Sequence, residues 1–271
     1  MIARLQKVVR RRALLQALVV RDVRTRYIGT LLGAAWILIR PAILIAFYTF
    51  IFSVVFKMRT GTDVMGRAVG DAGPYTYALF ILGGLVPWLA FSEGLNQAAA
   101  SIVQNKEIIT KVVFPVELLP MASVASAQVA FAAMTLIVIV LVIATGGLSV
   151  TMLWLPVFFL LITLFALGLG YIFAVVNTYF RDVSNLLPFV MLLWMYASPI
   201  LYPITALPKA FQPIMRLNPM AAIVEAYRAS VVFGVPPSLS SLGYAAVASV
   251  LTFMVGFALF GRAQRLFSEV L

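Results

Sequence analysis

The sequence predicts an all-α integral membrane protein with six transmembrane helices. An N-terminal amphipathic interfacial helix precedes them, and short re-entrant or periplasmic gate helices lie between spans five and six. Three observations carry this. Of 271 residues, 63% are hydrophobic and 11% charged, with a mean hydropathy of +1.05, whereas a water-soluble domain is about half apolar and about a quarter charged. The apolar residues gather into stretches of roughly 20, the length that crosses ~30 Å of hydrocarbon at 1.5 Å per residue. The 20 Lys and Arg, against 9 Asp and Glu, are unevenly placed. Cysteine and histidine are absent, which excludes disulfides, thiolate nucleophiles, imidazole bases and the usual zinc, haem or iron–sulfur ligands. No metal site and no cofactor are expected in this chain.

The elements follow in order within a single transmembrane domain, 1–271. Residues 1–30 alternate basic clusters with Leu5, Val8, Val9, Leu14, Leu15, Leu18 and Val19. Their helical spacing predicts an amphipathic helix in the interface, drawn to anionic membrane lipids. Six apolar stretches follow, at about 31–56, 75–100, 119–145, 152–176, 186–203 and 242–260. The first is interrupted by Arg40-Pro41, and the fifth is broken by Pro199 and Pro203. The 204–241 segment carries five further prolines and is half apolar. It is too long for a bare loop and reads as one or two short helices at the outer leaflet, an extracytoplasmic gate region. Non-helical backbone at that depth needs protein or a water-filled cavity to satisfy it.

With six spans, one side collects thirteen Lys and Arg: eight in residues 1–30, then Lys106, Lys111, Arg181, Arg262 and Arg265. The other side holds six: Lys57, Arg59, Arg67, Lys209, Arg216 and Arg228. The positive-inside rule then places both termini in the cytoplasm. The net +11 thereby orients a multi-pass chain and requires no nucleic acid.

Several side chains could carry chemistry. Arg24 and Arg26 stand just before span one, where guanidinium forks can hold a phosphate bidentately or simply snorkel to the interface. Arg40 lies nine residues beyond Leu31. A charge that deep defaults to a functional hypothesis, unless the span starts near Pro41 and residues 29–40 form an interfacial turn. Glu93, Asn96 and Gln97 share one helix face, as a polar patch lining a conduit or as interhelical glue. Glu93 is also a possible partner of Arg40. Trp36, Phe47 and Tyr48 on span one, with Trp194, Tyr196 and Tyr202 on span five, could line a conduit for sugar rings, whose C–H faces pack on aromatic faces. They could equally face lipid or the membrane interface.

The run Arg21-Asp22-Val23-Arg24-Thr25-Arg26-Tyr27, continuing through Thr30, Leu32, Gly33 and Trp36 to Pro41, resembles the lead-in to span one in the membrane subunit of type-2 ABC exporters. It resembles especially those exporting lipid-linked polysaccharides such as O-antigen, capsule and teichoic acid. Thr30 stands where that family more often has Ser. The resemblance continues in Lys106–Pro120, in Asn177-Thr178-Tyr179-Phe180-Arg181-Asp182-Val183, in Ser198-Pro199-Ile200-Leu201-Tyr202 and in Leu217-Asn218-Pro219-Met220. The blocks occur in family order and cover nearly the whole chain.

The resemblance implies a permease in a bacterial plasma (inner) membrane, a homodimer with two copies of a cytoplasmic ABC ATPase subunit. Its cargo would be a polyprenyl-diphosphate-linked polysaccharide, which Arg24, Arg26 and Arg40 would meet first. Residues 101–118 would form the loop that docks into the ATPase, with Lys106, Glu107, Ile109, Lys111 and Phe114 making the contact. No G-x-x-x-x-G-K-[ST] sequence occurs, so ATP and Mg would be bound by the partner, and this chain is a transport subunit rather than an enzyme. A type-2 ABC exporter of a drug or other small amphiphile is the alternative. A membrane-embedded glycosyl- or acyltransferase is more distant, because the nine acids are scattered and no acid/base pair is apparent.

Overall fold

The computed structural model describes residues 11–25, 31–55, 76–111, 114–264 and 267, and every regular element among them is helical. Four helices are long and apolar enough to cross a membrane. In our numbering these are α3 (Thr76–Gln104), α5 (Leu118–Ala144), α6 (Leu155–Tyr179, preceded by a 3-10 turn over Val150–Trp154) and α10 (Leu239–Ala263). They match expected spans two, three, four and six to within a few residues. Each stops where its sequence says it should. Pro115 precedes α5, and Gly146, at φ +78°, closes it, with the Gly146 and Gly147 amides donating to the carbonyls of Ile143 and Val142.

The central helix is α3. Of its most apolar window 83% is buried inside the protein, against 28–50% for the other three. It packs on α5 along one side and α6 along another. Pro87 lies in its interior and releases the carbonyl of Gly83 from the helical ladder, which neighbouring protein makes tolerable. Beside it, Trp88 and Phe91 join Phe165 of α6 in an aromatic cluster with ring centroids 5.2–5.5 Å apart.

α6 and α10 cross at glycines. A Cβ on Gly168 would stand 2.5 Å from the Phe253 nitrogen, and one on Gly256 would collide with the Gly168 carbonyl oxygen. Backbones this close gain dispersion contacts along the crossing, which is how helices associate where lipid is as apolar as leucine.

The other two expected spans are shorter. The first is α2 (Trp36–Thr49), led in by a 3-10 turn at Gly33–Ala35 and continued by a π-helical stretch, Phe50–Val55. The fifth is α7 (Val183–Tyr196), only 14 residues, or roughly 21 Å of helix. It ends at Tyr196 instead of continuing to 203. Residues 197–202 form a turn whose Ser198, Pro199 and Ile200 are buried. Proline at 199 lacks an amide and restricts the residue before it, so the helix stops and the chain doubles back.

The 204–241 region does contain short helices: a 3-10 turn at Ile204–Ala206, α8 (Gln212–Arg216), and α9 (Pro219–Tyr227), which runs into a π-helical segment, Arg228–Val232. α9 is almost wholly buried against α3, α6 and α10. The interfacial helix is α1 (Arg12–Thr25). Its Leu18 is buried with Leu118 and Ala122 at the start of α5, flanked by Leu15, Val19, Phe114 and Met121. The apolar stripe of α1 therefore faces protein at this point. The expected coupling loop contains α4 (Lys106–Lys111).

Candidate functional site

Functional groups collect at the two ends of the helical bundle. At the first end, α1 leans over the junction of α3 and α4. Arg21 pairs with Asp22 at 2.9 Å and donates to Asn105 Oδ1 at 3.3 Å. Together with Thr25, Gln97, Gln104 and Ser123, these residues line a polar cleft of about 460 Å³. The sequence pointed to Arg24 and Arg26 here. Arg24 is exposed in the last turn of α1, while Arg26 and the side chain of Arg40 lie outside the described residues. Arg21, read only as part of a motif, is the arginine that faces the cleft.

Deeper along α3, the Gln97 amide donates to Glu93 at 2.8 Å, and Asn96 donates to Ser92 at 3.4 Å. Ser126 of α5 reaches Gln97 Oε1 at 3.4 Å. The Glu93–Asn96–Gln97 ridge thus sits half-buried along the α3–α5 contact, and at least part of it bridges helices.

Just beyond the cleft, Asn105 interrupts α3 and accepts the Ile108 and Ile109 amides at its carbonyl, starting α4. Lys106, Glu107 and Lys111 are exposed, and Lys111 and Glu107 form a solvent-facing i,i+4 pair at 3.7 Å. Ile109 and Phe114 turn inward and pack on the core. Three of the five expected docking residues are therefore presented outward, and the other two anchor them. The neighbouring corner is tied to the same place by Asn177, whose amide donates to the Ala99 carbonyl while its oxygen accepts the Ser184 amide. Asn177→Ala would leave the half-buried Ser184 amide without its acceptor and take a second donor from the Ala99 carbonyl, a loss of about 1–3 kcal/mol. A clear drop in the unfolding temperature of the purified protein would register the loss.

At the opposite end the motif blocks meet. Asn218 caps α9, accepting the Met220 amide at 3.0 Å, and its own amide donates to Ser198 Oγ at 2.8 Å. Ser198 in turn donates to the Trp194 carbonyl. Pro219 occupies the first helical turn, where its missing amide costs nothing. The Ser-Pro-Ile and Leu-Asn-Pro blocks are thus two halves of one joint.

Its centre is Arg228. This residue is 1% exposed and is no loop cation, contrary to its place in the charge count above. Its Nε donates to the Phe80 carbonyl at 2.9 Å, and its terminal nitrogens donate to the carbonyls of Ile200 at 2.6 Å and Pro199 at 3.3 Å. The guanidinium also lies 3.8 Å over the Phe80 ring, a cation–π contact. Room for it comes from α3: a Cβ on Gly84 would collide with Arg228 Nη2, and one on Gly83 would meet Arg228 Cγ at 3.1 Å. The signal available in the sequence was a lone arginine inside an apolar run, the same signal that singled out Arg40. The adjoining 145–154 corner is fastened to this segment by Thr151, which donates to the Ser230 carbonyl at 2.6 Å.

One turn before Arg228, Glu225 is half-buried. Burial pushes its carboxyl above the usual carboxylate range, and Arg228 and Arg216 pull it partly back.

The expected conduit aromatics separate into two groups. Phe47 and Tyr196 are 59% and 57% exposed, while Trp36, Tyr48 and Tyr202 are half-buried. Tyr202 donates to the Tyr196 carbonyl, holding the two together. Trp194 instead turns into the core, edge-on to Trp88 and Phe91 at 5.7 and 5.5 Å. On α7 the division is by face: Leu187, Met191 and Met195 are buried, whereas Leu186, Phe189, Leu193 and Tyr196 form an exposed stripe.

Residues 13–232 match the family model for the ABC-2 type transporter. The chain is 29% identical to the O-antigen export system permease protein RfbA of Myxococcus xanthus over 95% of both proteins. It is 26% identical to a protein of the same name from Klebsiella pneumoniae, over 93% of this chain and 92% of the relative. The polysialic acid transport protein KpsM of Escherichia coli is 26% identical over 90% of this chain and 91% of its own length. With that match running from α1 through Val232, the chain belongs to the ABC-2 type transporter membrane family.

Proposed function

We propose that this chain is the membrane subunit of an ATP-driven exporter. It moves a polyprenyl-diphosphate-linked polysaccharide from the cytoplasm across a bacterial plasma membrane, as a homodimer served by two separate ATPase subunits. The observation that carries this reading is the two-faced α7. One side is locked into the bundle, and the other presents an apolar and aromatic stripe; Phe47 and Phe50 are likewise exposed on the first span. Two such faces, related by a two-fold axis, enclose a conduit that one copy cannot, and aromatic walls let sugar rings slide without fixed register. The near-full-length relatives, named for O-antigen export and polysialic acid transport, support the cargo class.

In this reading the α2 helix with its π continuation, and α7 with its turn, complete six crossings. The end bearing α1 and α4 faces the cytoplasm, in keeping with the thirteen basic residues assigned to that side. Closure of the ATPase dimer presses on the exposed side of α4. Because Ile109 and Phe114 pack against the core, the push reaches α3 and α5 and shifts a two-state membrane dimer.

The test is complementation of a cell lacking its own polysaccharide permease, scored by surface glycan and by co-purification of the ATPase. The wild-type chain, with its cognate ATPase, should restore export. Lys106→Ala/Glu107→Ala/Lys111→Ala should cut surface glycan roughly 10-fold or more, a coupling loss of about 1–3 kcal/mol, with the chain still present in the membrane. Restored export without any ATPase bound would overturn the proposal. So would unchanged surface glycan together with altered tolerance to a small amphiphile.

A further inference from the structure

A second cavity, of about 450 Å³, opens between α8, α9 and the start of α10. Its polar lining is mixed: Glu225 from α9, Arg216 from the end of α8, and Ser240, Ser241 and Tyr244 from α10, with Met215 among its apolar walls. Among the described residues the Glu225 carboxylate has no hydrogen-bond or ion-pair partner within contact distance, so a half-buried carboxylate faces the cavity. The Tyr244 hydroxyl is committed to the Leu217 carbonyl, which fixes the ring at the cavity wall. None of these residues was singled out as a site in the sequence.

The lining discriminates among ligand classes. A lone carboxylate repels phosphate and other anions. A metal cation would need several oxygen ligands in place of one carboxylate flanked by arginine. What accepts from a guanidinium, donates to a carboxylate and offers a flat C–H face to an aromatic ring is a polyol ring. The volume falls in the lower part of the ~300–1,000 Å³ range of ligand pockets, enough for about one or two sugar rings.

We propose that the cavity between α8, α9 and α10 is a saccharide-binding site, in which Glu225 and Arg216 grip a vicinal hydroxyl pair and Tyr244 supports the ring face. Resting on the export reading above, its occupant is a terminal sugar of the glycan emerging at the outer face. An occupied Glu225 sits one turn from Arg228, so the sugar is held against the segment that pins the α7 turn.

The probes are methyl α-mannopyranoside, methyl α-rhamnopyranoside and N-acetylglucosamine, added to the full-length chain in phospholipid nanodiscs so that no sugar-headed detergent competes. Saturation-transfer NMR should detect at least one of them, with a Kd near ~1–10 mM, or about 3–4 kcal/mol. Binding should weaken ~10-fold or more in Glu225→Ala. Arg216→Ala alters an exposed side chain, keeps the fold, and should weaken it comparably. Three results would overturn the proposal: no transfer to any of the three sugars from the folded wild type, undiminished transfer in Arg216→Ala, or a phosphorus-NMR titration showing inorganic phosphate displacing the sugar. If wild-type complementation succeeds while no sugar binds, the pocket alone is refuted. If sugar binds but complementation fails, the export reading falls and the site remains.

Discussion

Arg228→Met should lower the stability of the purified protein by about 3–5 kcal/mol, the cost of removing one partner from a buried charged network. Methionine fills much of the volume but donates nothing. The carbonyls of Pro199 and Ile200 then stay in the core without the donors they now have, at about 1–3 kcal/mol for each orphaned group, and Phe80 loses the guanidinium from its carbonyl and its ring. The gain from no longer burying a charge offsets part of this. Lysine keeps the charge but replaces a fork by a point donor, so Arg228→Lys should recover about half of the loss. Fluorescence-monitored thermal unfolding of the three proteins gives the ranking, and equal unfolding temperatures for methionine and arginine would refute the role assigned to the fork. Surface glycan in the complementation assay should fall in the same order, because the turn held by Arg228 ends the helix that we place along the conduit.

Gly256→Val should be comparably severe, at about 3 kcal/mol or more, beyond the usual cost of overpacking. The obstacle is backbone: the new Cβ meets the Gly168 carbonyl, which cannot rotate away as a side chain can. α6 and α10 would have to separate along the contact. Gly243 supplies the control, since a Cβ there meets nothing within 4 Å. Gly243→Ala should be neutral or stabilising by up to ~1 kcal/mol through helix propensity. If Gly256→Val unfolds at the wild-type temperature, the close crossing does not govern the packing of these helices.

The long helices were legible because a single local variable sets them. An apolar run bounded by Pro115 and Gly146 can hardly be anything but α5, and the other full-length spans are bounded as plainly. The break in span five was visible as prolines, but hydropathy alone cannot say that the chain stops at Tyr196 and turns, because the turn depends on partners elsewhere. Its buried carbonyls are acceptable only with Arg228 supplying donors from 28 residues further on, and with Gly83 and Gly84 leaving space in α3. The same dependence hid the meaning of Asn218, named only within the Leu-Asn-Pro block, because its partner Ser198 lies twenty residues away. At the other end, the exposed lysines of α4 were identifiable from composition. The inward turn of Ile109 and Phe114 was not, since helical spacing on six residues leaves both faces open.

Arg228 also orders events in time. A chain made from its N-terminus carries Phe80 148 residues before the guanidinium that will cover its carbonyl and ring exists, and the turn at Pro199 and Ile200 nearly thirty before. Until Arg228 arrives, the turn after α7 lacks its guanidinium donors and α3 keeps an open socket at Gly83 and Gly84. The turn after α7 therefore reaches its final packing only after α9 has been made and folded back, so a nascent chain halted before residue 228 holds the Pro199 and Ile200 carbonyls without the fork that later pins them.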